Sequence, residues 1–130
     1  MVSFRTQAGP WVVPVEQALE VRTAGAMRPL PMPMDDVVGV VERDGDAIPV
    51  LSALDASGQH VLLLCAGGET VGVLVSEVMG VVSVARDSMG PAPAGQNDPL
   101  VCATVQGDHE LMFQVDVDAL ARAVGISRRS

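Results

Sequence analysis

VVGVVERDGDAIPVLSAL, spanning Val37–Leu54, decides how the rest of the chain is read. Two apolar runs, Val37–Val41 and Ala47–Leu51, flank a charged tip, Glu42-Arg43-Asp44-Gly45-Asp46. Asp-Gly between two such runs predicts a β-hairpin, because the tight turn needs positive φ and both residues tolerate it. The β-branched valines are stiff in the way a pleated ladder favours. Pro49 lacks an N–H, so its arm is expected at a sheet edge or beside a bulge. Gly39 omits a side chain where another backbone or a partner could come close. The expected element is an edge-exposed hairpin with a polar tip, suited to docking rather than to chemistry.

Working outward toward the N-terminus, Val2–Thr6 reads as a strand, Gln7-Ala8-Gly9-Pro10 as a turn and Trp11–Val15 as the return arm. Residues Glu16–Arg22 mix good helix formers with a strand-like end, which predicts one helical turn running into a short strand. Pro29, Pro31 and Pro33 alternate with Leu30, Met32 and Met34, a spacing that forbids helix and favours an extended segment. We expect a rigid crossover there, with a proline-rich ligand for a groove as the rival reading.

Toward the C-terminus, Asp55–Gln59 is a polar connector. Val61–Cys65 and Thr70–Val75 form a second expected hairpin about Gly67-Gly68, and Gly80 marks a bulge in the following strand. Arg86–Pro99 reads as a long irregular loop, and a third hairpin pairs Leu100–Val105 with Leu111–Val115 around Gly107-Asp108. Val117, Leu120, Ala121 and Val124 share one helical face, with Asp116 or Asp118 as cap and Gly125 at the left-handed end position. About nine or ten short strands with close turns and one terminal helix predict an all-β fold. Barrels of this size are SH3-like, and 130 residues suit two of them sharing a core, here residues 1–126 with a frayed tail at 127–130.

Composition narrows the function. Hydrophobic residues make up 48% of the chain but aromatics only 2%, namely Phe4, Trp11 and Phe113, so the core must be largely aliphatic. The net charge of −8 disfavours nucleic acid, which needs clustered cations and stacking aromatics, and disfavours direct insertion at anionic membranes. No apolar run approaches the roughly 20 residues that span a bilayer, and no secretory signal is visible, so a cytoplasmic protein is expected. Cys65 and Cys102 each lie in an apolar run and read as buried, reduced thiols. His60 and His109 are lone, structural histidines, and the acidic residues Asp108, Glu110, Asp116 and Asp118 lack calcium-loop spacing. No nucleophile elbow, phosphate loop or metal-ligand motif is present, so no catalytic residue, metal or cofactor is expected.

Trp11-Val12-Val13-Pro14-Val15 followed by Ala18-Leu19-Glu20-Val21, then Pro33 and Gly39-Val40-Val41 through Gly45, Ile48-Pro49-Val50, form an ordered set of landmarks. Gly72-Val73-Leu74-Val75, Val78, Gly80-Val81 and the closing Leu111–Leu120 stretch complete it. In order and spacing this set resembles the CheW adaptor family of bacterial chemosensory arrays over nearly the whole chain. The resemblance implies two five-stranded barrels, no catalysis, and a scaffold that joins chemoreceptor cytoplasmic tips to the regulatory domain of a CheA-type histidine kinase. It further implies a receptor helix docked in an apolar groove near the Gly39–Gly45 hairpin, a helix-in-groove mode. Gly39, Val40, Arg43, Gly72 and Val81 are the candidate receptor-binding residues, and Glu20 and Val21 the candidate kinase-binding residues.

The family's Asn-Leu-Arg-Gly tip is here Glu42-Arg43-Asp44-Gly45, so Asp44 stands on the usual arginine position. Ser52 and Ser76 stand where the family carries aspartates. These departures leave open a divergent member that keeps only one of the two interfaces and modulates array assembly. A third reading, a small-ligand-binding β-barrel, would need convergent polar groups around a cavity.

Overall fold

The computed structural model describes residues 1–34, 37–92, 100–107 and 110–122, with backbone alone at 32–34. Twelve strands follow one another in these residues: β1 (Val2–Thr6), β2 (Gly9–Val13), β3 (Ala18–Thr23), β4 (Arg28–Met34), β5 (Val37–Arg43), β6 (Asp46–Leu51), β7 (His60–Ala66), β8 (Glu69–Val75), β9 (Glu77–Val81), β10 (Met89–Pro91), β11 (Val101–Gln106) and β12 (Leu111–Val115). They make two six-stranded sheets, ordered β10-β11-β12-β2-β1-β9 and β3-β7-β8-β6-β5-β4. The first barrel is therefore built from the two ends of the chain, and the second from its middle.

The hairpins obey their turn chemistry. β5 and β6 are joined by Asp44 (φ 52°) and Gly45 (φ 86°), and β7 and β8 by Gly67 (φ 59°) and Gly68 (φ 81°). Two left-handed residues in succession match the strand twist of a two-residue hairpin. A bulge lies where β9 meets β1: Ser3 opposes Gly80 and Phe4 opposes Val78, which leaves Met79 as the extra residue beside a positive-φ glycine.

Two expectations about edges fail. The β5–β6 hairpin is interior, with β4 on one side and β8 on the other. Pro49 is tolerated there for a local reason. Counting from the two-residue tip, the Val40–Pro49 pair is a non-hydrogen-bonded one, so the proline nitrogen faces away from β5. Pairing with β8 starts only at Val50, so no ladder bond is lost. The edge on this side is the proline-rich segment expected as a crossover, which is strand β4, paired among the described residues to β5. Prolines at every second position strip N–H groups from one side of a strand, which blunts an edge without preventing pairing on the other side.

Elsewhere, Pro14 ends β2 at Val13 and a 3₁₀ turn, Val15–Gln17, leads into β3 as the helix-forming residues suggest. Part of the expected irregular loop is strand β10, paired to β11; residues 93–99 lie outside the described residues, as does Asp108 in the third turn. A helix starts at Val117 and is described as far as Arg122. Asp116 caps it, its Oδ1 accepting from the Ala119 N–H at 3.1 Å. Val124, Gly125 and the tail 127–130 lie outside the described residues.

Burial explains the apolar runs. Leu62 and Leu64 of β7 and Val71, Val73 and Val75 of β8 pack into a cluster shared with Phe4, Trp11, Val13, Val101, Val115, Val117 and Leu120. Their alternate neighbours, Val61, Leu63 and Leu74, face a second cluster with Val41, Ile48 and Val50. β7 and β8 are thus buried on both faces, which is why they read as continuous rather than alternating apolar sequence. The shared cluster fuses the barrels, and the two clusters of buried side chains are apolar. The cysteines depart from expectation: both are free, but Cys65 is half-buried and Cys102 exposed. Cys102 is the extra residue of a bulge, since Val101 opposes Val115 and Ala103 opposes Gln114. Its thiol is pushed up by partial burial and by the Asp116 charge.

Candidate docking groove between the two barrels

β9 ends the first sheet and β3 ends the second, so among the described residues each has one strand partner. Between these edges runs a shallow apolar groove of about 250 Å³, lined by Ala18–Val21 on one wall and by Val78, Gly80 and Val81 on the other, with Val2 and Leu62 also contributing. Val81 is 74% exposed, Met79 53% and Val21 44%. Val21 on one wall and Val81 on the other thus hold apolar side chains in water.

The geometry follows from local structure. The bulge at Met79-Gly80 twists β9, on which Met79 and Val81 are exposed. A second bulge in β3, where Ala18 opposes Leu64 and Glu20 opposes Leu63, leaves Leu19 as the extra residue. Leu19 packs on the second cluster while Val21 stays exposed.

The candidate residues regroup. Val81, expected to meet a receptor, and Glu20 and Val21, expected to meet a kinase, line this same groove. Gly39 and Gly72 do not belong to a surface. Gly39 is buried, and a Cβ there would lie 2.6 Å from both the Arg28 carbonyl oxygen and Met27 Cγ. It admits β4 and Met27, so the backbone that comes close is the chain's own. Gly72 is buried inside the second barrel, where a Cβ would stand 3.1 Å from Leu63 Cδ2 and Val61 Cγ1. Val40 is half-buried in β5, between Arg28 of β4 and Pro49 of β6.

Arg43 and Glu20, placed in different expected sites, are bound to each other. Glu20 Oε1 accepts from Arg22 Nη2 at 2.7 Å and from Arg43 Nε at 3.1 Å. Arg22 Nη1 also donates to the Glu42 carbonyl at 2.6 Å. The Arg22 hydrogen bond is the largest cause that holds the Glu20 carboxyl below its usual range; burial opposes it, and the Arg22 charge with the Arg43 hydrogen bond and charge add to the lowering. This cluster ties β3, at one end of the second sheet, to the β5 tip beyond its other side. The depression at that tip, lined by Arg43, Asp44, Asp46, Gly68, Glu69 and Thr70 among others, is polar. The apolar groove described above thus lies at the barrel seam, and the depression beside the β5–β6 tip is polar.

Ala18, Leu19 and Val78 were landmarks of the resemblance but not site candidates, because a groove between two strand edges is a tertiary product. The bulge at Gly80 was the one local signal. Among the described residues no three His, Cys, Asp or Glu side chains converge on a common point, and no helix is long and apolar enough to cross a membrane.

Two six-stranded sheets fused through a common core, with a groove between their free edges, define a class of two-subdomain β proteins. The chain matches the CheW-like domain family over residues 1–125 and belongs to that family. Its fold is similar to that of the scaffolding protein TtCheW from Thermoanaerobacter tengcongensis, at a TM-score of 0.75 and 17% identity, over 88% of this chain and 86% of that one. No curated protein sequence gives a match.

Proposed function

We propose that the protein is a non-catalytic scaffold of a bacterial chemosensory system, coupling chemoreceptors to a CheA-type histidine kinase. Membership of the CheW-like family supports the scaffold role. The observation that carries the docking mode is the apolar groove between β3 and β9. A receptor cytoplasmic tip presents a helix, and an apolar stripe along that helix can cover Val21, Val78 and Val81. The kinase regulatory domain binds through end-to-end barrel contacts. Each contact is small, and a lattice of many weak contacts supplies the avidity. The protein acts in the cytoplasm, recruited to receptor clusters, and needs no metal or cofactor for this role.

Isothermal calorimetry of the full chain against a receptor-tip helical hairpin and against the kinase's CheW-like domain tests the reading. Heat of binding with both is expected. Binding to one alone identifies a specialised adaptor with a single interface, and silence with both refutes the scaffold role.

A further inference from the structure

The chain crosses between the two sheets twice, once through residues 14–17 and once through Ser76 alone, since β8 ends at Val75 and β9 begins at Glu77. Ser76 is exposed yet tied by three polar contacts. Its N–H donates to the Arg5 carbonyl of β1 at 2.8 Å, its hydroxyl donates to Asp55 Oδ2, and its carbonyl lies 3.1 Å from His60 Nδ1 of β7. One residue thereby grips both barrels at the point where a groove wall begins.

Its main partner is built for the purpose. Asp55 is 3% exposed, and its Oδ1 accepts from the Ser57 N–H and the Ser57 hydroxyl, each at 3.1 Å. Ser57 Oγ in turn accepts from Gln7 Nε2, on the first barrel, at 2.6 Å. Burial would raise the Asp55 carboxyl, but donation from Ser76, from Ser57 and from the Gln7 backbone outweighs it and keeps the group charged. Gly58 lets the connector lie flat on the end of β8, for a Cβ there would sit 2.6 Å from the Val75 nitrogen. At its far end the connector meets the end of the strand that carries the other wall, as the Gln59 carbonyl accepts from the Ala24 N–H at 2.9 Å, one residue beyond β3.

We propose that the connector 55–59 is a strap between the root of β9 and the end of β3, the strands that carry the two walls, and that Asp55 and Ser76 are positioning residues which set the angle between the barrels and hence the groove's fit to its helical occupant. The part about the occupant rests on the docking role given above. Removing the Ser76 hydroxyl frees the root of β9 without touching any residue that lines the groove.

The test uses the full chain carrying Ser76→Ala, Ser76→Thr, Asp55→Asn or Val81→Asp. Residual dipolar couplings report the angle between the barrels, and calorimetry reports affinity for a receptor-tip helical hairpin. Ser76→Ala and Asp55→Asn are expected to change the angle and to weaken binding about fivefold, the worth of one net hydrogen bond. Ser76→Thr, which keeps the hydroxyl, is expected to restore both. Should Asp55→Asn fail to fold, Ser76→Ala carries the test alone. Wild-type affinity in Ser76→Ala while Val81→Asp loses binding would overturn the joint but keep the groove. Unchanged couplings in Ser76→Ala would overturn the joint whether or not the hairpin fragment binds.

Discussion

The two barrels hold the same number of strands and are made differently. The second is contiguous, β3 through β8, and its own interior is aliphatic throughout. The first joins β1 and β2 to strands more than sixty residues away and carries all the aromatics, in one stack. Phe4 and Trp11 lie nearly parallel with ring centroids 6.4 Å apart, and Phe113 meets Trp11 edge-on at 5.8 Å. The Trp11 Nε1–H donates to the buried Thr6 Oγ1 at 2.9 Å, so its one polar atom is satisfied. A barrel assembled from distant segments carries a larger loop-closure cost, and large aromatic contact areas offset it. Local turn chemistry can organise the second barrel, whereas the first depends on tertiary contacts.

The comparison can be broken most directly at Trp11. Trp11→Ala should cost about 3–5 kcal/mol, measured by urea denaturation followed by circular dichroism. Leu63→Ala, inside the second barrel, should cost about 2–5 kcal/mol. Because β7 and β8 feed both clusters, Leu63→Ala should move the Trp11 fluorescence transition and the circular dichroism transition together. Separate midpoints would mean that the barrels unfold independently.

A smaller effect sharpens the contrast between interior and surface glycines. Gly39→Ala must displace the β4 backbone, and about 1–3 kcal/mol is expected, with hydrogen exchange accelerated in β4 ahead of β7 and β8. Equal protection in β4 before and after the change would contradict the packing role.

Acid stability should single out the connector. Asp55 is held below its usual carboxyl range, so its contribution is present above the unfolded value near pH 3.9 and is lost as pH falls through the lower folded value. Asp55→Asn should therefore flatten the fall in stability below about pH 4. A profile identical to wild type would place the acid-sensitive group elsewhere. The least effect on stability is expected at Val81→Asp, within about 0.5 kcal/mol, because the side chain is mostly in water; its melting curve checks this.

The legible parts of the fold are those written locally. Asp44-Gly45 and Gly67-Gly68 fix two hairpins by turn chemistry alone, and Gly80 with Met79 announces a bulge. Sheet order was not legible, because hairpin signals fix one neighbour of a strand and leave its other side undetermined. The β5–β6 hairpin accordingly turned out to be interior, and the prolines marked the edge at β4 instead. The same limit governs the groove. Glu20, Val21 and Val81 were singled out by family pattern, yet nothing local says that residues sixty apart face one another. Gly39 and Gly72 make room for the chain's own backbone and core, and in sequence such a glycine looks the same as one that makes room for a partner.

Amide chemical-shift mapping with a receptor-tip helical hairpin tests the seam most directly. Perturbations are expected on both walls, at Val21 on β3 and at Val78 and Val81 on β9, and they should vanish in Val81→Asp. Perturbations confined to the polar tip at Asp44 and Gly45, with both walls unmoved, would contradict it.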